Sequence, residues 1–420
     1  MKRVLFPIIF FFVTGYSNYL FAQWDNALVN DQSSKKMAVG IYGNADYSSN
    51  CVTSAFAYNF YMGNYLDANL KQQVSSRLQG MNRLGFALNY GAYGVLYNDT
   101  LAKKKIYNFF VALRHKQYLN ISFTPDDFNV PFFGNASYAG KTAQLSPFYL
   151  NSLSYQQLEI GIVRTNFGGN AQFGAAISFL AGQQYSALAV PQATFYTDTN
   201  GQYLTFNSNA QAYQSDTSSG YLTRINGYGA SLDVYFKAPY SIGKKTGTIT
   251  LSITDLGFIW WNKQSITYQR DTGYTYSGIN INGLSDLQNA SFNTFSADSL
   301  KNKYFPFQKG HFYSLIPVTF SVNTNTAMSE KFHLEFGYWN VFNANAIGYT
   351  YVQADKYFSH GWMIALQAGY GGYESINCSL YLAKQFKTAS LALRVNHLQG
   401  LILPTQFGGA GCYLGYTQSF

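Results

Sequence analysis

The chain has 420 residues, of which 47% are hydrophobic and only 11% charged, with 37 Tyr, 35 Phe, 5 Trp and a formal charge of +9. So few charges exclude an ordinary soluble domain, which carries about a quarter, and so many apolar residues exclude intrinsic disorder. A mean hydropathy of −0.12 excludes a bundle of apolar membrane helices and points to strands that alternate polar and apolar side chains, the habit of a transmembrane β-barrel.

The chain opens on Lys2-Arg3, an apolar run Val4 to Val13 and Leu20-Phe21-Ala22 before Gln23. This order of charged, apolar and small residues predicts a secretory signal peptide over 1–22. Its removal leaves 398 residues with 26 basic and 19 acidic groups. The excess is spread thinly, Lys103-Lys104-Lys105 being the one basic run, so nucleic acid is not an expected partner. Residues 23–37 are polar and read as a periplasmic arm or a luminal hatch.

Period two then recurs along the chain. In Thr246 to Thr254, Ile249, Leu251 and Ile253 share one parity and Thr248, Thr250, Ser252 and Thr254 the other. The same apolar stripes run over Leu84 to Tyr90, Tyr107 to Leu113, Phe173 to Phe179, Ala230 to Phe236, Ile316 to Val322, Leu334 to Tyr338 and Leu391 to Val395. Backbone groups in lipid must all be paired, so such a sheet has to close. At roughly 9 to 14 residues per strand, residues 23–420 suit a single closed antiparallel barrel of about 14 strands, within a range of 12 to 16.

Two stretches break the pattern. Residues 124–147 contain three prolines and start as a helix does, with Thr124, Pro125 and Asp126-Asp127; the segment is a candidate luminal plug. Residues 262–310 are rich in Asn, Ser, Asp and Tyr and read as a long extracellular loop with short strand extensions. Trp260-Trp261, Trp339 and Trp362 suit aromatic girdles at the two membrane interfaces. Cys51, Cys378 and Cys412 are odd in number and far apart, which fits neither a disulfide framework nor a zinc site; Cys378 and Cys412 read as small apolar members of lipid-facing stripes. At the C-terminus Cys412, Leu414, Tyr416 and Phe420 share one parity. Leu414, Tyr416 and the terminal Phe420 are the expected signal for the barrel-insertion machinery.

Asp255 shares the parity of Ile249, Leu251 and Ile253, so a straight strand would point its carboxylate at lipid. Either the strand leaves the bilayer there, with Trp260 and Trp261 at the interface, or a bulge at Gly257 resets the parity. The first is the preferred expectation; under the second, Asp255 turns into the lumen as a gate or ligand contact. The other charges on the polar parity, Arg114, Asp233, Glu335 and Arg394, are candidate luminal groups. His333 joins Glu335 two residues away. The plainer reading makes that pair solvated lumen groups, and a metal pair is disfavoured because two residues rarely fill a coordination shell. No nucleophile elbow, zincin, phosphate-loop or C-x-x-C motif occurs, and no cofactor is expected.

The run Ser252-Ile253-Thr254-Asp255-Leu256-Gly257-Phe258-Ile259-Trp260-Trp261 resembles the signature S-I/V-x-D-L-G-F-I-x-W of domain-of-unknown-function family 5723. Arg114 to Phe123, Pro125 to Asn135 and Tyr155 to Arg164 are similar in order to its further segments. Asn129 to Phe133 departs from the more helical stretch that the family has there. The resemblance implies an exported Bacteroidetes outer-membrane barrel and carries no activity with it. On size and compartment alone the chain also looks like FadL-type barrels and like PorV and PorP of the type IX secretion system.

Three functions follow as expectations. The first is a non-enzymatic barrel in the outer membrane of a Gram-negative cell, in contact with its lipid, that passes or binds a small or hydrophobic solute. The second is an accessory or scaffold barrel whose loops grip a secretion-system or envelope partner. The third is a barrel hydrolase, with His333 and Glu335 as its best candidates.

Overall fold

The computed structural model describes residues 36–99, 107–168, 170–216, 225–277 and 307–420. The expected signal peptide, nearly all of the 23–37 segment and the middle of the 262–310 loop lie outside these residues.

Fourteen strands form the wall. They are β1 Met37–Ser49, β2 Asn82–Asp99, β3 Tyr107–Phe123, β4 Phe148–Arg164, β5 Gln172–Thr197, β6 Gly227–Ile242 and β7 Lys245–Trp261. The second half comprises β8 Val318–Ser329, β9 Phe332–Phe342, β10 Ile347–Tyr357, β11 Trp362–Gly372, β12 Ile376–Gln385, β13 Ala389–Asn396 and β14 Gly408–Ser419. Each pairs antiparallel with the next, and β1 pairs with β14 from Ala38↔Ser419 to Ser49↔Gly408. The sheet therefore closes on itself with the strand number expected. Among the described residues no helix is long and apolar enough to cross a membrane; the strands do so.

Closure turns the sequence parity into two surfaces. On β2, Leu84, Phe86, Leu88, Tyr90 and Leu96 point out while Ala87, Asn89, Val95 and Tyr97 are buried inside. At about 3.3 Å per residue and a tilt of about 40°, the outer stripe from Leu84 to Leu96 stands about 30 Å tall, close to the apolar height a bilayer demands. Of the four tryptophans assigned to girdles, Trp260 and Trp362 face out, but Trp261 and Trp339 are buried in the interior. Both have the inward parity of their strands, so the girdle assignment fails for them. Cys378 keeps the outward parity of Leu380, and Cys412 that of Leu414, although its neighbours cover Cys412 completely.

The two ends differ. At the end where β1 begins and β14 finishes, β6 and β7 are joined by Gly243-Lys244 and β8 and β9 by Glu330-Lys331; the opposite end carries every long connection. Outer-membrane barrels keep their short turns on the periplasmic side, so the long connections face outward. There the upper half of β5 runs on beyond the wall and pairs with Lys141–Gln144 and with Leu204–Gln214, which in turn pairs with Ile266–Tyr276. A four-stranded sheet thus stands above one side of the rim, and within the 262–310 loop the described residues include the strand Ile266–Tyr276 and the short strand Gln308–Lys309 that pairs with its first two residues.

Among the described residues three helices of eight or more residues sit at the same rim: α1 Ser54–Met62, α2 Ala68–Ser75 and α3 Pro125–Phe133. Helix α3 starts on a full capping box: the Thr124 hydroxyl accepts from the Asp127 amide, the Asp127 carboxylate accepts from the Thr124 amide, and Pro125 holds the first turn. The helix continues through Pro131 to Phe133, so the Asn129 to Phe133 run that departs from the family pattern is helical after all. Phe128 and Phe132 pack on Phe56 of α1, and the cluster rests on Tyr47, Leu84, Ile121 and Phe148. Those four belong to the outward parity of β1 to β4, so the segment 124–147 lies against the outer wall at the rim rather than in the lumen as a plug. Thr124→Ala is expected to cost about 1 kcal/mol of local stability. Limited proteolysis should then cut 125–147 faster while the heat-modifiable barrel band stays unchanged.

Candidate functional site in the barrel interior

The interior is layered. Near the periplasmic end Ala38, Val95, Tyr97, Phe110, Val163 and Tyr235 form an apolar floor. Towards the outer end Tyr155, Leu180, Tyr185, Ile259, Trp261 and Phe312 form a second apolar and aromatic layer. Between them lies a belt of charge.

The belt is built on one irregularity. Along β7 the parity holds to Ile253, then Asp255 adopts φ 58 and the pairing with β6 slips, so that Thr254 and Asp255 together face Asp233. This is a bulge: the extra residue rotates its side chain from the lipid face to the lumen. Aspartate tolerates the left-handed region better than most residues, and the Asp233 carboxylate accepts the Asp255 amide at 2.7 Å. The expectation that the strand leaves the bilayer at Asp255 is therefore corrected, and the bulge sits at Asp255 itself rather than at Gly257. Asp255→Val is expected to be about 1–2 kcal/mol less stable than Asp255→Gly, read as unfolding midpoints on heat-modifiability gels. Equal midpoints would show that the left-handed residue does not hold the bulge.

Once inside, Asp255 accepts two hydrogen bonds from Lys116 Nζ of β3, at 2.6 and 2.8 Å. Lys116 is fully buried and Asp255 is 2% exposed. Gln157 of β4 donates to Asp255 at 3.0 Å and to Ser178 at 3.0 Å. Beside this pair, Arg114 is ion-paired with Glu159. The belt thus holds two cations and three carboxylates, and the Lys116–Asp255 contact bridges strands that lie four apart around the wall. The second carboxylate oxygen of Asp233 and the amide oxygen of Gln157 are buried without a partner among the described residues, two acceptors left open in the middle of the barrel.

Not all the residues anticipated from sequence meet here. Arg114, Asp233 and Asp255 share the belt. His333 and Glu335 lie near the periplasmic end of β9, where Glu335 accepts from Tyr351 at 2.6 Å and from Asn323 at 3.0 Å, and His333 contacts Asn325 at 3.2 Å. They are bound into a network and are not freely solvated. Among the described residues no grouping of three or more His, Cys, Asp or Glu could hold a metal ion. Arg394, buried on β13, donates to Gln367 of β11. Lys116 and Glu159 were missed, although Lys116 keeps the polar parity of Arg114 and lies only two residues on.

A second buried cluster closes the outer end where β14 meets β1. His397, just past β13, donates from Nε2 to Asp46 of β1 at 3.0 Å and from Nδ1 to Glu374 of the β11–β12 turn. Asn396 also donates to Asp46 at 3.1 Å. Tyr373, from the same turn, reaches Asn120 inside the barrel. Burial lowers the pKa of His397, but the carboxylates of Asp46 and Glu374 outweigh it and raise the imidazole to about 10.

The closed antiparallel wall, its apolar outer face and its polar interior define a transmembrane β-barrel of the outer-membrane kind. The chain belongs to the family of unknown function DUF5723, whose profile matches residues 30–388. Among solved structures it is similar to the TodX deltaS2S3 mutant monoaromatic hydrocarbon channel, at 7% identity and a TM-score of 0.47 over 92% of this chain and 91% of that one. It is also similar to the Ralstonia pickettii toluene transporter TbuX, at 8% identity and a TM-score of 0.43 over 92% and 90%. A Pseudomonas aeruginosa FadL homologue follows at 11% identity and a TM-score of 0.41 over 92% and 90%. No curated protein matches the sequence.

Proposed function

We propose that the protein is a non-enzymatic carrier of the outer membrane that binds and passes a small, largely apolar solute and is closed at rest by the Lys116–Asp255 pair. The observation that carries this reading is the layering of the interior. Two apolar, aromatic layers suit an apolar solute on either side of a charged belt, and a belt made of breakable pairs can part. Ligand sites are typically apolar with a few convergent polar groups, and the open acceptors on Asp233 and Gln157 supply these. Arg114 and Glu159 set the polarity beside them. Purified protein in vesicles should take up an apolar aromatic solute faster than empty vesicles while excluding sugars. Equal rates with and without protein would refute the carrier reading.

A further inference from the structure

Helix α1 reads Ser54-Ala55-Phe56-Ala57-Tyr58-Asn59-Phe60-Tyr61-Met62 and contains no charged residue. Its one buried side chain, Phe56, turns towards the barrel. The opposite side carries Tyr58, Tyr61 and Met62, with Tyr65 just beyond; Phe60, one turn on from Phe56, stacks on it at 6.2 Å yet stays 60% exposed, and Tyr65 is 86% exposed. Phe133 at the end of α3 is exposed beside them. A contiguous aromatic patch of this kind is rare on a surface that meets only water. A helix apolar all round is one that is covered all round.

The place of the helix in the fold identifies the cover. The side chains beneath α1 and α3, Tyr47, Leu84, Ile121 and Phe148, point out from the wall. The helices therefore lie outside the barrel at the top of the Leu84 to Leu96 stripe, and the side bearing Tyr61 and Tyr65 continues the surface that meets lipid. The first charged residue after α1 is Asp67, whose side chain caps α2; Lys71 on α2 and Arg77 after it follow, and Arg77 sits over the Phe407 ring at 5.8 Å. Tyrosine and phenylalanine at the apolar edge with cations next to them is the arrangement of the bilayer interface. We infer that α1 is a membrane-seated helix: the side bearing Tyr61 and Tyr65 is immersed in the interfacial zone of the outer leaflet, and the occupant of the patch is lipid. The α1–α3 cluster then widens the lipid-facing wall on the side of β1 to β4 and holds the rim at the leaflet boundary.

Nitroxide accessibility tests this on the full chain in phosphatidylcholine vesicles. A label on Tyr61→Cys, in a Cys378→Ala background that removes the lipid-facing thiol, should collide severalfold more often with oxygen, which concentrates in the bilayer, than with a water-soluble nickel chelate. Ile177→Cys on the outer wall should give the same sense and Lys263→Cys in a loop the opposite. The first control separates a failure of the barrel to span the vesicle from a failure of this proposal. A label at 61 that behaves like the one at 263, or that is shielded from both agents, would overturn it in favour of water or of a covering protein. As a second arm, Tyr61→Asp with Tyr65→Asp should let trypsin cut at Lys71 or Arg77 severalfold faster with the barrel band intact. An unchanged cutting rate would also count against lipid seating.

Discussion

Lys116→Met should lower the stability of the folded barrel by about 3–5 kcal/mol, the usual cost of stranding one member of a buried ion pair. Without the ammonium group, Asp255 and Asp233 face each other across the bulge with only Gln157 and a backbone amide to support them. The coupling is the sharper test. In Lys116→Met combined with Asp255→Asn most of the loss should return, because an amide keeps the left-handed backbone and the hydrogen bond from Gln157 without a charge to compensate. Unfolding midpoints of the two single variants and the double variant in detergent would measure it, and simple additivity would show that the two residues act independently.

The second large effect lies at the seam. His397 holds β13 to β1 through Asp46 and to the β11–β12 turn through Glu374, and its pKa is raised from 6.5 to about 10. A base held above its unfolded value binds its proton more tightly in the folded state, so folding gains from it below about pH 6.5. That gain falls away as the pH rises through about 10. The barrel should therefore lose stability on the alkaline side between these limits. His397→Leu should be less stable at neutral pH, by about 3–5 kcal/mol where two buried carboxylates lose their partner, and should lack the alkaline loss. A variant whose melting point follows pH as the parent's does would remove His397 from the account.

Period two is local, and it was sufficient to place the wall. Each stripe from Leu84 to Tyr90 through Leu391 to Val395 names its own outer face without reference to any partner, and the strand number follows from length. What parity could not supply was the bulge. Before Asp255 the odd positions of β7 face lipid; after it the even ones do, which is why Trp261 is interior while Trp260 is not. Trp339 differs, since it has the inward parity of Glu335 and only its residue type, not its parity, suits an interface. The ion pairs were hidden for another reason. Lys116 and Asp255 are 139 residues apart, as are His397 and Asp46 at 351, and only closure of the barrel brings such positions together. The rim helices illustrate the limit from the other side: the cap at Thr124 was legible from four residues, but whether the helix behind it filled the lumen or lay against the wall depended on which face of β1 to β4 its phenylalanines met.

In the carrier proposed above, a charged belt pinned by Lys116 and Asp255 closes the interior at mid-height. Planar-bilayer recording tests it most directly, with the parent protein and Lys116→Ala/Asp255→Ala examined side by side at equal amounts of folded barrel. The parent should show few or no openings and the double variant sustained ionic conductance. Identical traces from the two proteins, whether both silent or both conducting, would contradict it.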